Sequence, residues 1–228
     1  EHWLHLRTGN VIESLYFAVE SHLQPGDVRA FARMGAWESL FGGVGCVWDH
    51  YYAGLEVAEA LRDVGLCGVV APTLQDLSGP GVASRRSQLD ATVAIDEDAR
   101  LAALGIHAAL GPHATDTVST ELWREAADLA AARGLPVHAH VAQTIEEIER
   151  SVERHGCFPI ERLARLGLLD AAPTTLLVHG LYAGRAELAL LDPARHLLVH
   201  CPYSQVQFGF PAPVRAWREA GIRLAIGT

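Results

Sequence analysis

Six of the twelve histidines in this chain fall on or just past short apolar runs: His50, His113, His138, His140, His179 and His200. A neutral imidazole binds a divalent metal, and its ordinary pKa lets it carry a proton near neutral pH. Several imidazoles meeting at one rim would therefore make a site for a metal and for proton transfer. Two of them share the stretch Leu135-Pro-Val-His-Ala-His-Val-Ala-Gln-Thr144. Gly134 and Pro136 punctuate its start, and Val137, Ala139 and Val141 alternate with His138, His140 and Ala142. That alternation reads as a short buried strand with both imidazoles on one side. A helix signal begins at Thr144, with Glu146, Glu147, Glu149 and Arg150 behind it. The histidines thus sit where a strand runs out, which in a βα architecture is the chemical end. The plain alternative is a pair of hydrogen-bonded core histidines.

Seven apolar runs supply the strands that would position these groups: Gly45–His50, Leu66–Pro72, Gly105–Gly111, Pro136–Ala142, Thr175–Gly180, His196–Cys201 and Ile222–Gly227. Helical spacing appears over 11–23 and over Val28–Leu40. It recurs between the runs at Leu55–Val64, Asp96–Ala103, Glu121–Arg133, Ile145–His155, Pro159–Leu166, Ala183–Leu191 and Ala212–Ala220. Strands separated by helices imply parallel βαβ connections, and wholly apolar strands imply a sheet covered on both faces. Gly65, Gly105, Gly134 and Gly221 stand where left-handed helix caps are needed. Seven strands are one short of a closed (β/α)8 TIM-type barrel, so the expectation is an incomplete barrel filling 1–228, helices over 11–40 preceding β/α units over 45–228. An open doubly wound sheet is the alternative, but no GxGxxG follows any run.

Composition narrows the partners. The chain has 228 residues, 50% hydrophobic and 20% charged, enough for one sizeable core. A net charge of −9 argues against nucleic acid or an anionic membrane. No apolar run approaches the roughly 20 residues that span a bilayer, and Glu1 to Arg7 do not read as a signal peptide. Four scattered cysteines without a CxxC pair suit reduced thiols in the cytoplasm. Neither Glu1 nor Ile226-Gly-Thr228 reads as a natural terminus. A barrel short of one strand would leave the Gly45 and Ile222 runs as unpaired edges, so the isolated chain is expected to aggregate or pair with itself.

The chain resembles the amidohydrolase superfamily, in the branch of cytosine/guanine-deaminase-like, S-adenosylhomocysteine-deaminase-like and triazine-hydrolase-like enzymes. The resemblance is carried by Gly111-Pro-His-Ala-Thr-Asp-Thr-Val-Ser119, Pro136-Val-His-Ala-His-Val-Ala-Gln-Thr144, Leu177-Val-His-Gly-Leu181, His200-Cys-Pro-Tyr-Ser-Gln205, Ala212-Pro-Val214 and Leu224-Ala-Ile-Gly-Thr228. It implies one divalent metal, zinc or iron, held by an HxH pair, a histidine on strand five and an aspartate ending strand eight. His140 is then the strand-five ligand. The HxH pair would precede Glu1 and the aspartate would follow Thr228, so metal binding by this chain alone is expected to be weak or absent. His179 matches the histidine that positions or polarises the attacked group, and His113 a substrate-contacting histidine. His138 is expected to support or pack beside His140, and His200 to support the missing aspartate. Such enzymes are often dimers or larger, so a homo-oligomer is expected at full length.

Gln143 departs from the pattern, because family deaminases carry a proton-shuttling glutamate three residues after the strand-five histidine. A primary amide is neither general acid nor general base near neutral pH. Three functions remain open. The first is a metal-dependent hydrolase of a C–N bond in a nitrogen heterocycle, with deamination of an aminopurine, pterin or triazine favoured. The second is a same-fold hydrolase with another leaving group, by dechlorination or amide hydrolysis. The third is a non-catalytic barrel that binds a small molecule.

Overall fold

The computed structural model describes residues 10–208 and 211–227, which fall into two compact units divided between Gly111 and Pro112. Thr228, expected at the last strand end, lies outside the described residues.

The first unit opens with a π-helical turn, Ile12–Tyr16, and α1 (Phe17–Glu20). α2 (Pro25–Phe41) starts on a proline that fixes its first φ, and the Asp27 carboxylate accepts the Gln24 N–H at 2.9 Å. Then follow β1 (Cys46–Tyr51), α3 (Gly54–Val64), β2 (Cys67–Leu74), α4 (Arg85–Glu97), α5 (Ala99–Ala103), β3 (Ile106–Ala108) and the start of β4 (Gly111–Pro112). β1 and β3 flank β2, both parallel to it, in register Cys46↔Cys67 and Gly68↔Ile106. α3 turns Val57, Ala58, Ala60 and Leu61 inward, the spacing of an amphipathic helix. A Cβ at Gly68 would stand 2.7 Å from Leu61 Cδ1, so glycine there lets α3 seat against β2.

The second unit runs α6 (Thr120–Arg133), β5 (Val137–Val141), α7 (Ile145–His155), α8 (Pro159–Arg165), α9 (Leu168–Ala171), β6 (Thr175–His179), α10 (Arg185–Leu188), β7 (His196–His200), α11 (Pro202–Phe208), α12 (Val214–Glu219) and β8 (Arg223–Ile226). Its sheet is parallel throughout in the order β5-β6-β7-β8, with Val137↔Thr175 and Leu198↔Leu224 in register. Leu176, Leu177 and Val178 are buried together, as a doubly covered strand requires. Trp123 of α6 and Trp217 of α12 are wholly buried. Ser119 caps α6 by accepting the Leu122 N–H at 3.1 Å.

All seven apolar runs contain a strand, and Gly65, Gly105, Gly134 and Gly221 all take positive φ. Several boundaries move, among them the end of the helix expected over 11–23, which closes at Glu20. The run Gly105–Gly111 divides into β3 and β4. The helix expected over Asp96–Ala103 is the end of α4 followed by α5, broken where Asp98 leaves helical geometry and accepts the Arg100 N–H at 2.8 Å. The helix expected over Ala183–Leu191 shortens to α10, because Gly184 starts it. Among the described residues β1 and β8 each pair with a single named strand, as do β3, β4 and β5. No described helix is long and apolar enough to cross a membrane.

Candidate active site

β5 ends the second unit's sheet on one side, and the loop from His113 runs alongside it. The His140 N–H donates to the His113 carbonyl at 2.8 Å, and Ala114 and His140 form a parallel bridge. The loop is thereby pinned to the last turn of the strand. His140 Nδ1 lies 3.2 Å from the same carbonyl oxygen. A proton on Nδ1 makes that contact a hydrogen bond and leaves the lone pair on Nε2, the tautomer of a histidine that ligates through Nε2. On the far side of β5, Val141 pairs with His179 at the end of β6.

Three rings consequently meet. The His113 and His140 centroids are 5.0 Å apart, and those of His140 and His179 are 5.5 Å apart with planes inclined by 24°. The His138 ring lies 6.5 Å from that of His140, one pleat back along the strand. His113 Nδ1 sits 2.9 Å from Thr117 Oγ1. Burial holds the pKa of His113 and of His179 well below the ordinary histidine value, and neighbouring imidazoles push both further down. Burial lowers His140 to about 4, against the opposing pull of the His113 carbonyl. His138 falls to about 3 for the same first reason. All four are neutral near pH 7, the state in which imidazole ligates a metal.

The backbone at this rim is unusual. Ala142 and His179, just past β5 and ending β6, take φ of +49° and +77°, a region that costs an L-residue about 1–2 kcal/mol. Gly180 follows at +58° and donates its N–H to the Val141 carbonyl at 2.9 Å. Gln143 comes next after the Ala142 turn. Its N–H and that of Ala142 donate to the Glu147 carboxylate at 2.8 and 3.1 Å, and the Thr115 hydroxyl donates to the same group at 2.5 Å. Burial, helped by the Asp116 charge, pushes Glu147 up to about 7 against the pull of those donors. The reading from sequence took Glu147 only as part of a polar helix start. The Thr144-x-x-Glu147 spacing of a capping box was the signal for it, and Thr144 Oγ1 does accept the Glu147 N–H at 3.1 Å.

His200 ends β7, one position beyond the Val178↔Val199 pair that aligns β7 with β6. Its ring meets Trp217 edge-on at 6.3 Å, and Gly227 donates its N–H to the His200 carbonyl at 2.8 Å. In the first unit, His50 and Asp49 lie near the end of β1, and burial raises the Asp49 carboxyl to about 6. Tyr52 donates its hydroxyl to Gln75 Oε1 at 3.2 Å, and Gly81 N–H donates to the same oxygen at 2.9 Å.

The donor set suits a divalent metal in chemistry and falls short in number. Among the described residues no three His, Cys, Asp or Glu side chains form a group that could hold an ion by themselves. His140 fits as one ligand of a larger set.

The sequence matches the model of the amidohydrolase family over residues 2–228. It is 35% identical over 211 residues to a 5-methylthioadenosine/S-adenosylhomocysteine deaminase of Halobacterium salinarum, covering 92% of this chain and 48% of that protein. It is 28% identical over 218 residues to a 5'-deoxyadenosine deaminase of Methanothrix thermoacetophila, covering 95% and 50%. The structure superposes with a TM-score of 0.83 on a zinc-bound adenosine deaminase from Xanthomonas campestris, at 27% identity over 99% of this chain and 49% of the other. An atrazine chlorohydrolase from Arthrobacter aurescens, solved with zinc, shares the fold with a TM-score of 0.75 at 21% identity, over 96% and 52%. The fold class is thus the α/β, (β/α)8 barrel type. The chain spans about half the length of the curated relatives it matches.

Proposed function

Since the chain belongs to the amidohydrolase family, we propose that the protein is a metal-dependent hydrolase that deaminates a purine-like heterocycle, exchanging a ring amino group for water oxygen with release of ammonia. The observation that carries this reading is the convergence of three neutral imidazoles, with centroids 5.0 and 5.5 Å apart, at the exits of β5 and β6.

A divalent ion, when bound, supplies Lewis acidity and acidifies water. His140 would hold it, with further ligands from outside the described residues. Burial keeps His140 unprotonated over the working pH range, so ligand and proton do not compete there. His179 orients the group under attack through its imidazole, whose place is fixed by the left-handed turn at the end of β6. His113, held by Thr117, contacts the heterocycle. Gln143 can orient through its amide but cannot move a proton, so the proton that the attacking water loses must reach the leaving nitrogen through another group; His179, neutral as it stands, can first accept that proton and then pass it on.

The test is an ammonia-release screen of the metal-loaded, full-length protein across adenosine-type nucleosides, aminopterins and aminotriazines. Release from one class supports the reading; metal binding without release from any contradicts deamination. Gln143 itself favours a second reading, hydrolysis of a substrate whose leaving group, such as chloride, needs no protonation. Halide release by the same protein would establish it in place of the first. Gln143→Glu should raise deamination about tenfold or more if the proton shuttle is the missing part; an unchanged or lower rate contradicts that. A full-length protein that binds no metal would leave only the non-catalytic binding barrel.

A further inference from the structure

Glu147 is bound in a way that a helix cap alone does not require. A glutamate at the third position of a helix ordinarily reaches back to the N-cap amide. Here the carboxylate reaches past Thr144 to the N–H groups of Gln143 and Ala142, at 2.8 and 3.1 Å. Its third donor is the Thr115 hydroxyl at 2.5 Å, thirty-two residues away in sequence on the loop that begins at His113. Glu147 is 3% exposed, and burying a carboxylate is costly unless its acceptors are filled. Glu149 and Glu153, on the same helix, stay exposed.

The two segments it joins both carry site residues. On one side is the strained Ala142 turn, which sets the direction of Gln143 immediately after β5. On the other is the loop 113–118, whose second anchor is Arg162: its guanidinium donates to the Thr115 carbonyl and, at 3.3 Å, lies within reach of Thr120 Oγ1. His113 leans on Thr117 within the same loop. Arg150 adds an ion pair to Asp116 at 2.9 Å. Loop and strand exit are therefore tied by a buried polar network in which one side chain, Glu147, touches both.

We propose that Glu147 is a positioning residue: its carboxylate locks the β5 exit to the His113 loop and so fixes where Gln143 and His113 stand relative to His140. This role rests on the functional reading above. The carboxylate acts through the backbone N–H groups of Ala142 and Gln143 and through Thr115. Displacing a reacting or orienting group by about 1 Å costs on the order of 100-fold in rate even when the change lies away from the chemistry.

The experiment compares wild type with Glu147→Gln and Thr115→Val in the metal-loaded, full-length protein. An amide in place of the carboxylate presents an NH2 group to donors and cannot accept from all three. Glu147→Gln is expected to lower kcat about 30- to 100-fold with KM within about threefold. Thr115→Val, which removes one donor and keeps the shape, is expected to lower kcat about 3- to 10-fold. The double variant should be no worse than Glu147→Gln alone within about twofold, because both break one network. Hydrogen exchange, read on the peptide spanning residues 141–147, should accelerate at least tenfold in Glu147→Gln while β6 and β7 keep their protection. A purely structural role would lower the melting temperature, leave kcat intact below it and give additive variants; that outcome overturns the proposal, as does unchanged exchange at 141–147. A wild-type protein without hydrolytic activity sinks the functional reading instead, and the exchange result alone then decides whether Glu147 anchors the β5 exit.

Discussion

The exits of β5 and β6 differ from the exit of β7, although each carries a histidine. At β5 and β6 the chain turns through left-handed non-glycine residues, Ala142 and His179, and the imidazoles of His113, His140 and His179 gather within 5.5 Å between neighbouring centroids. At β7 no described non-glycine residue takes positive φ, and His200 packs edge-on against the buried Trp217. Residue type and place at a strand end are the same in both. What separates them is backbone held in an unfavourable conformation by a surrounding network, which persists where the network over-determines it. Left-handed non-glycine residues, more than histidines at strand ends, distinguish the exits of β5 and β6 from that of β7.

The largest effect that should sharpen this contrast is on catalysis. His140→Ala is expected to reduce kcat/KM of the full-length protein by at least about 1000-fold, and His179→Ala by about 100-fold or more, while His200→Ala costs less than about tenfold. Steady-state kinetics on the active substrate class checks this; a His200 effect equal to that of His140 would erase the distinction.

A second effect is on acid stability. His140 and His138 have folded pKa values of about 4 and about 3, below the ordinary 6.5 that the unfolded chain would show. The unfolded state therefore binds more protons in that window. Their contribution is complete above pH 6.5 and is lost as pH falls towards 4, on the order of 3 kcal/mol for His140 alone. Glu147, raised to about 7, works in the opposite sense between about pH 4.5 and 7 and offsets part of the loss. In the first unit, Asp49 is raised to about 6, so its contribution is present at low pH and lost as pH rises from 3.8 through 6. Acidification from pH 6.5 to 4 should thus accelerate hydrogen exchange in β5 and β6 more than in β1 and β2. Equal acceleration in both would break the comparison.

A smaller effect tests the strain itself. Ala142→Gly removes the Cβ penalty of about 1–2 kcal/mol for a left-handed residue and adds a glycine entropy cost of about 0.5–1 kcal/mol, for a net gain of up to about 1 kcal/mol. A fall in the thermal midpoint would mean that Ala142 is not strained.

Much of this fold is legible in the sequence. The alternation through Val137–Val141 set both β5 imidazoles on one side, and Gly134, followed by Pro136, marked the strand's start. α4 was not fully legible because the positions it buries include Gln88 and Thr92 beside Leu89, Ala91 and Ile95, which blurs apolar periodicity. Gln88 is buried as a ligand for backbone, accepting the Gly54 N–H at 3.1 Å, a purpose that no hydropathy pattern carries. α9 has four residues, too few to show a helical period. At the site, the histidines announced themselves by type and place. Glu147 did not, since its partners Thr115 and Ala142 come from separate stretches of chain. Only the family resemblance separates His179 from His200 in the sequence, because both end apolar strands; in the structure their backbone geometry differs.

The central claim is that His140 is one ligand of a hydrolytic metal site, with His113 and His179 beside it. The direct measurement is metal content and affinity of the full-length protein after equilibration with zinc. One tightly bound ion per chain is expected in wild type and in His113→Ala, with loss of at least about 100-fold in affinity in His140→Ala. Undiminished zinc binding by a folded His140→Ala variant would contradict the account.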